Sequence, residues 1–93
     1  MLRKISPGRV ESDEEGYSLH FIGPENVKYE ESDKFIILDW TFDPKTQKTR
    51  IYISDVDTWD SSEHKPLLFW EKEKIKRNIV SATKLLEGTF EVM

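Results

Sequence analysis

The feature that most constrains this chain is a pair of strand-like segments with apolar side chains on both faces, followed by a single helix-like segment. Residues 34–42 and 49–56 are rich in β-branched and aromatic residues, and a polar, proline-containing turn joins them into a predicted hairpin. Side chains alternate between faces along a strand, so Phe35 and Ile37 lie opposite Ile36. One helix covers one face of a sheet. The second face therefore requires strong curling of the sheet or another protein against it.

Turn signals divide the rest of the N-terminal part into shorter pieces. Glycine or proline breaks separate strand-like pieces at 9–11 and 17–22, and residues 27–31 form a weaker candidate. We therefore predict an antiparallel meander of four to five strands within residues 1–57, followed by a linker at 58–65.

The last third of the chain changes to a helical period. The apolar positions spaced by three or four are Leu68, Ile75, Ile79, Ala82 and Leu86. This stripe predicts a helix over residues 66–87, with its start within three residues of Pro66 and with Trp70 beginning the stripe or packing beside it. Residues 88–93 form either a frayed end or a final strand. The whole chain, 1–93, is predicted to be one α+β domain in which one C-terminal amphipathic helix packs on one face of the sheet.

The charge is negative and unevenly distributed. The net charge is −4, and residues 1–63 carry eight Lys or Arg against fourteen Asp or Glu. Phosphates repel such a chain, so we expect neither nucleic acid nor a membrane as partner, and a basic protein is the better match. No apolar run is long enough to span a membrane and the start lacks an apolar signal segment, so a cytoplasmic location is expected.

The sequence offers few groups for catalysis. His20 and His64 are 44 residues apart with no metal-ligand spacing, and there are no cysteines. No nucleophile elbow, dinucleotide motif or phosphate loop is present. We expect no enzyme activity, no cofactor and no metal. Asp39 stands alone on an apolar strand, and we expect it to be buried and paired structurally, with Arg50 as the candidate partner.

One acidic cluster around a tryptophan is the candidate partner-binding site. Its residues are Asp55, Asp57, Trp59, Asp60 and Glu63. Tryptophan is enriched at binding hot spots, and carboxylates around it suit a basic partner. The structural alternatives are a solvated strand end and a tryptophan that fixes the junction between strand and helix.

Several stretches together suggest a family. They are Ile5-Ser6-Pro7-Gly8-Arg9-Val10, the Tyr29-Glu30 pair, Ile53-Ser54-Asp55-Val56-Asp57-Thr58-Trp59, the helical Glu73-Lys74-Ile75-x-x-x-Ile79, and Phe90-Glu91-Val92. In these positions the chain resembles small bacterial immunity proteins that accompany polymorphic or contact-dependent growth inhibition toxins. It departs from that pattern after Trp59, where residues 61–65 are inserted before the proline.

The resemblance implies a cytoplasmic, non-enzymatic protein that binds a cognate toxin, often a nuclease, and neutralises it stoichiometrically. The alternative hypothesis is a self-associating structural or accessory domain whose spare sheet face pairs with a second copy, because symmetric homodimers are the commonest soluble oligomers.

Overall fold

The computed structural model describes residues 2–32, 34–61 and 65–93. Within these residues the fold is α+β, with a curled seven-stranded sheet and one helix. The elements in chain order are β1 (Leu2–Ser6), β2 (Arg9–Ser12), β3 (Tyr17–Phe21), β4 (Asn26–Glu31), β5 (Lys34–Asp43), β6 (Lys48–Tyr52), α1 (Phe69–Thr83) and β7 (Thr89–Val92). The strands lie side by side in that same order. All neighbours are antiparallel except β7, which runs parallel to β6 because the helical connection returns the chain to its starting end.

The α+β class is confirmed, but the strand count of four to five was too low. β1 lacks apolar alternation and is held by pairing with β2 across the turn at 7–8. β7 forms through contacts distant in sequence, and its end is fixed when the Met93 amide donates to the Ile51 carbonyl at 2.7 Å. Local patterns do not report pairings of this kind.

The core lies between the inner face of the sheet and α1. Alternate strand residues point into it, as the two-residue period of a half-covered sheet requires. The fully buried side chains include Val10, Leu19, Val27, Tyr29, Ile36, Leu38, Ile51 and Ile53 from the sheet side and Ile75 and Ile79 from the helix. Sheet and helix therefore share one continuous hydrophobic core.

The helix begins at Phe69, within the predicted window, and ends at Thr83, short of the predicted residue 87. At its start the Leu68 amide donates to the Glu71 carboxylate at 3.1 Å, which satisfies one of the N–H groups left free at a helix N-terminus. The middle of the predicted stripe is buried, but Leu68 and Trp70 are exposed. The prediction that Trp70 packs in or beside the stripe is therefore wrong.

The outer face of the sheet is partly covered by the chain itself. Phe35, Ile37 and Tyr52 are half-buried there, the Lys28 Nζ lies 4.6 Å from the centroid of the Phe35 ring, and the Tyr52 hydroxyl is 2.9 Å from that of Thr41. Curling and polar side chains thus shield this face. Of the two sequence-based alternatives, the structure has the curled sheet.

Asp39 differs from the prediction because it lies on the outer face and is exposed. Its Oδ1 accepts a hydrogen bond from the Asn26 side-chain amide at 3.2 Å. Arg50, the partner predicted for it, has its Nε 4.0 Å from the Glu91 carboxylate. An exposed carboxylate keeps its hydration, so Asp39 needs no charged partner.

Substitutions at two neighbouring residues of α1 test the packing of the core. Ile79 is fully buried and Val80 is 40% exposed. We expect Ile79→Ala to lower the free energy of unfolding by about 2–4 kcal/mol, because it removes buried methyl groups and leaves a cavity. Val80→Ala, the matched control, should change it by less than about 0.5 kcal/mol. Urea denaturation measures both, and equal losses would contradict the placement of the helix.

Candidate protein-binding site

The loop after β6 is fastened to the segment that precedes α1. The Leu67 amide donates to the Asp57 carbonyl at 2.8 Å, and the Trp59 amide donates to the Lys65 carbonyl at 2.9 Å. An isolated β-bridge joins Thr58 and Pro66. These backbone contacts hold the acidic loop and the N-terminus of α1 side by side.

Three consecutive large apolar residues are exposed at that N-terminus. The exposed fractions are 49% for Leu68, 80% for Phe69 and 60% for Trp70. Helical geometry turns Phe69 and Trp70 away from the buried stripe and towards solvent. The Lys74 Nζ lies 5.8 Å from the centroid of the Trp70 ring, a distance at which a cation is attracted to an aromatic face.

Two exposed carboxylates lie on the loop that is bonded to the segment before α1. Asp55 and Asp57 both face solvent. An Oδ1 of Asp57 lies 4.0 Å from the Lys72 Nζ, which also donates to the Ser54 carbonyl at 3.0 Å. The Asp57 side chain remains 92% exposed, so this ion pair adds little stability and leaves the charge available. We call the surface formed by Asp55, Asp57, Leu68, Phe69 and Trp70 the aromatic–acidic corner.

Trp59, predicted to contact a partner, lies instead in the core with 1% of its surface exposed. The Lys34 Nζ is 5.3 Å from the centroid of its ring. In this conformation the indole cannot reach a partner. Its burial fits the structural alternative, in which the tryptophan fixes the junction between sheet and helix.

Asp60 closes an edge of the sheet. β6 pairs with β5 only from Asp39 onward, so the earlier part of β5 lacks a strand on that side. There the Asp60 amide donates to the Phe35 carbonyl at 2.8 Å, and its Oδ2 accepts from the Ile37 amide at 2.7 Å. The carboxylate thus satisfies backbone groups that would otherwise have no partner in the sheet. Glu63, the last predicted site residue, lies outside the described residues.

Of the predicted site residues, Asp55, Asp57 and Asp60 are exposed and Trp59 is buried. The structure fastens the loop that carries Asp55 and Asp57 to the segment just before the exposed Leu68, Phe69 and Trp70. A signal was present in the sequence, because three adjacent large apolar residues cannot all fit a stripe with a period of 3.6.

A polar network under α1 is the other notable cluster. The Tyr17 hydroxyl donates to the Asn78 carbonyl at 3.1 Å, and the Asn78 side-chain amide donates to the Tyr29 hydroxyl at 2.9 Å. The Tyr29 hydroxyl also donates to the Glu31 carboxylate, which accepts a further bond from the Lys74 Nζ at 3.0 Å. This network borders a polar cleft of about 430 Å³.

Burial raises the pKa of the Tyr29 hydroxyl far above its usual value, and the hydrogen bond to Glu31 raises it further. The pKa of Tyr17 is raised by burial and, to a lesser extent, by the charge of Glu15. Both phenols are therefore neutral at ordinary pH. Their hydrogen bonds connect helix and sheet, and neutral phenols are poor candidates for a catalytic base.

Comparisons with protein-family models, with curated proteins and with solved structures found no match. In the part of the chain that the structure describes, no helix has the length and apolar character needed to cross a bilayer. No group of three or more acidic or histidine side chains among residues 2–32, 34–61 and 65–93 is arranged to hold a metal ion.

Substitutions distinguish the carboxylate of Asp60, which has a structural role, from the exposed carboxylates of the corner. Asp60→Ala should lower the free energy of unfolding by about 1–2 kcal/mol, because the Ile37 amide loses a charged acceptor. Asp55→Ala, which removes an exposed charge from the same loop, should change it by less than about 0.5 kcal/mol. Chemical denaturation of the two variants checks this. A stable Asp60→Ala protein would show that the edge needs no side-chain acceptor.

The tyrosine network predicts a loss of stability at alkaline pH. Below pH 10 both phenols are protonated whether the chain is folded or not. Above about pH 10 the unfolded chain releases phenolic protons that the folded chain retains, so the free energy of unfolding falls as the pH rises. Urea denaturation at about pH 8 and about pH 11 measures this fall. It should be smaller in Tyr29→Phe, and an unchanged fall in that variant would contradict the assignment to Tyr29.

Proposed function

We propose that this protein is a binding module for a basic protein partner and that the aromatic–acidic corner is its docking surface. The observation that carries the proposal is the exposure of Leu68, Phe69 and Trp70 close in the fold to a loop with the exposed carboxylates of Asp55 and Asp57. Folding does not explain the exposed apolar patch, since a chain that only needed to be stable would bury more of these three side chains.

The physical properties of the corner suit a protein interface. Aromatic side chains are enriched at hot spots because they bury a large area at a small cost in conformational entropy. The acidic border and the net charge of −4 would attract a basic surface and speed its association. The corner is also preorganised, because the backbone bonds at Asp57 and Trp59 fix the loop against the helix.

The resemblance to immunity proteins suggests the class of partner. We propose a cognate toxin domain, neutralised stoichiometrically when this protein occludes its active site or another surface that it requires. Many toxins that act on nucleic acid are basic, and an acidic inhibitor complements such a surface. The proposed role requires no catalytic group in this protein.

Self-association is the second candidate function, because the same exposed apolar residues could meet those of another copy. In a symmetric dimer, however, each surface meets its own equivalent. Pairing through the corner would place four carboxylates, Asp55 and Asp57 of each copy, in one interface, and their like charges oppose the contact. Light scattering distinguishes the two functions, since a monomer over a range of concentrations would exclude self-association.

The binding proposal requires that a toxin domain is encoded beside this protein's gene, and it is tested with that domain. In a variant that carries Phe69→Ala and Trp70→Ala, we expect the Kd for that domain to rise at least about thirtyfold, which corresponds to the loss of one hot spot of about 2 kcal/mol. Rescue of growth on co-expression should weaken in parallel. Titration calorimetry measures the Kd.

Phe42→Ala is the matched control, because Phe42 is an aromatic residue of similar exposure, 52%, located on β5 away from the corner. It should leave the Kd nearly unchanged. The Kd of the unsubstituted protein should also rise with salt concentration. Equal losses from the two sets of substitutions would place the interface elsewhere, and a growth-arresting neighbouring toxin that does not bind would refute the immunity role.

A further inference from the structure

A second aromatic surface lies at the other end of α1 and is independent of the proposed function. Beyond the C-terminal end of the helix, a groove of about 370 Å³ is lined by residues that include Gly8, Phe21, Trp40, Leu86, Glu87 and Phe90. The three aromatic side chains come from β3, β5 and β7 and are half-buried. Their rings are thus held by the sheet and remain accessible from the groove.

The rings form a three-sided corner. The Trp40 ring stands at 79° to the Phe21 ring, with 5.4 Å between centroids. The Phe90 ring is inclined at 56° to that of Phe21, with 6.2 Å between centroids. The Trp40 and Phe90 rings therefore each lie at a steep angle to the Phe21 ring.

The Trp40 ring is fixed in orientation. Its indole Nε1 donates to the Asn26 carbonyl at 3.2 Å. The backbone at Phe21 is also held in place, because the Phe21 amide donates to the Gly8 carbonyl at 2.8 Å. The arrangement exists before any ligand binds, so binding would require little ordering of these side chains.

The electrostatic character of the groove favours a cation. The faces of aromatic rings are negative, and several faces that converge attract a positive charge. Among the described residues that line the groove, Glu87 is the one with a charged side chain, and it adds a full negative charge at the edge. An anion would meet repulsion from both sources.

We propose that this groove binds a small quaternary ammonium compound such as choline. Its methyl groups match apolar walls, and its charge matches the ring faces and the Glu87 carboxylate. A primary ammonium ion would have to give up hydrogen bonds to water that an apolar lining cannot replace. A phosphocholine headgroup places a phosphate near Glu87, so the free compound is the better ligand.

The experiment is an NMR titration of the ¹⁵N-labelled protein with choline. We expect shifts of the Trp40 indole N–H and the Gly8 amide signals, while the Trp59 and Trp70 indole signals stay in place. The uncharged isostere of choline, in which carbon replaces nitrogen, should bind at least about tenfold more weakly, because it has the same shape but lacks the charge. Phosphocholine should also bind more weakly than choline.

Three outcomes would overturn the proposal. They are the absence of shifts with choline, equal binding of the uncharged isostere, and tighter binding of phosphocholine. Because no toxin takes part in the titration, failure here leaves the proposed docking surface unaffected, and failure of toxin binding leaves this site unaffected.

Variants assign the site to its residues. Phe90→Leu retains an apolar side chain but removes a ring face, and Glu87→Gln removes the carboxylate charge. Each should weaken choline binding severalfold, with a dispersed amide spectrum showing that the variant is folded. Glu73→Gln is the matched control, because it removes one negative charge from an exposed position on α1. Equal weakening by Glu87→Gln and Glu73→Gln would reduce the effect of the carboxylate to net charge and overturn the assignment.

Discussion

The contact between α1 and the inner face of the curled sheet determines most of this structure. A single helix contributes Ile75, Ile79 and Ala82 to a core whose other members are strand residues together with Ile53, Trp59 and Leu86. Because the helix also connects β6 to β7, its position decides that β7 pairs in parallel with β6. The sheet curls around this one helix, and polar side chains such as Lys28 and Thr41 cover part of the apolar side chains on its outer face.

The contacts that anchor the loop before α1 stabilise the fold and also position the residues of the proposed docking surface. Trp59 and Asp60 are adjacent in sequence, but their side chains lie in different places. Trp59 is buried in the core, and Asp60 accepts a hydrogen bond at the edge of β5. With both fixed, the following segment starts the helix where Phe69 and Trp70 face solvent. The residues that stabilise the loop are therefore distinct from those available to a partner, although they lie within a few positions of each other.

Sequence reasoning succeeded where structure follows from neighbouring residues. The hairpin of β5 and β6 and the buried positions of α1 follow from periods of two and 3.6. It failed where a contact joins distant residues, as in the pairing of β7 with β6 or the bond between Asp60 and Ile37. Trp59 illustrates the limit: its polar neighbours resemble an exposed loop, and only the path of the chain past β5 shows that its side chain turns inward.

The two ends of α1 show why an aromatic residue must be judged by its surroundings. Phe69 and Trp70 project from a convex helix end, where a large, flat partner can cover them but a small molecule would gain few contacts. Phe21, Trp40 and Phe90 line a concave groove, where a small cation can touch several faces at once. The same class of side chain therefore suits a protein at one end and a small ligand at the other. Since the core between the two ends is shared, occupation of either surface would stabilise the folded state by mass action without requiring any movement of the helix.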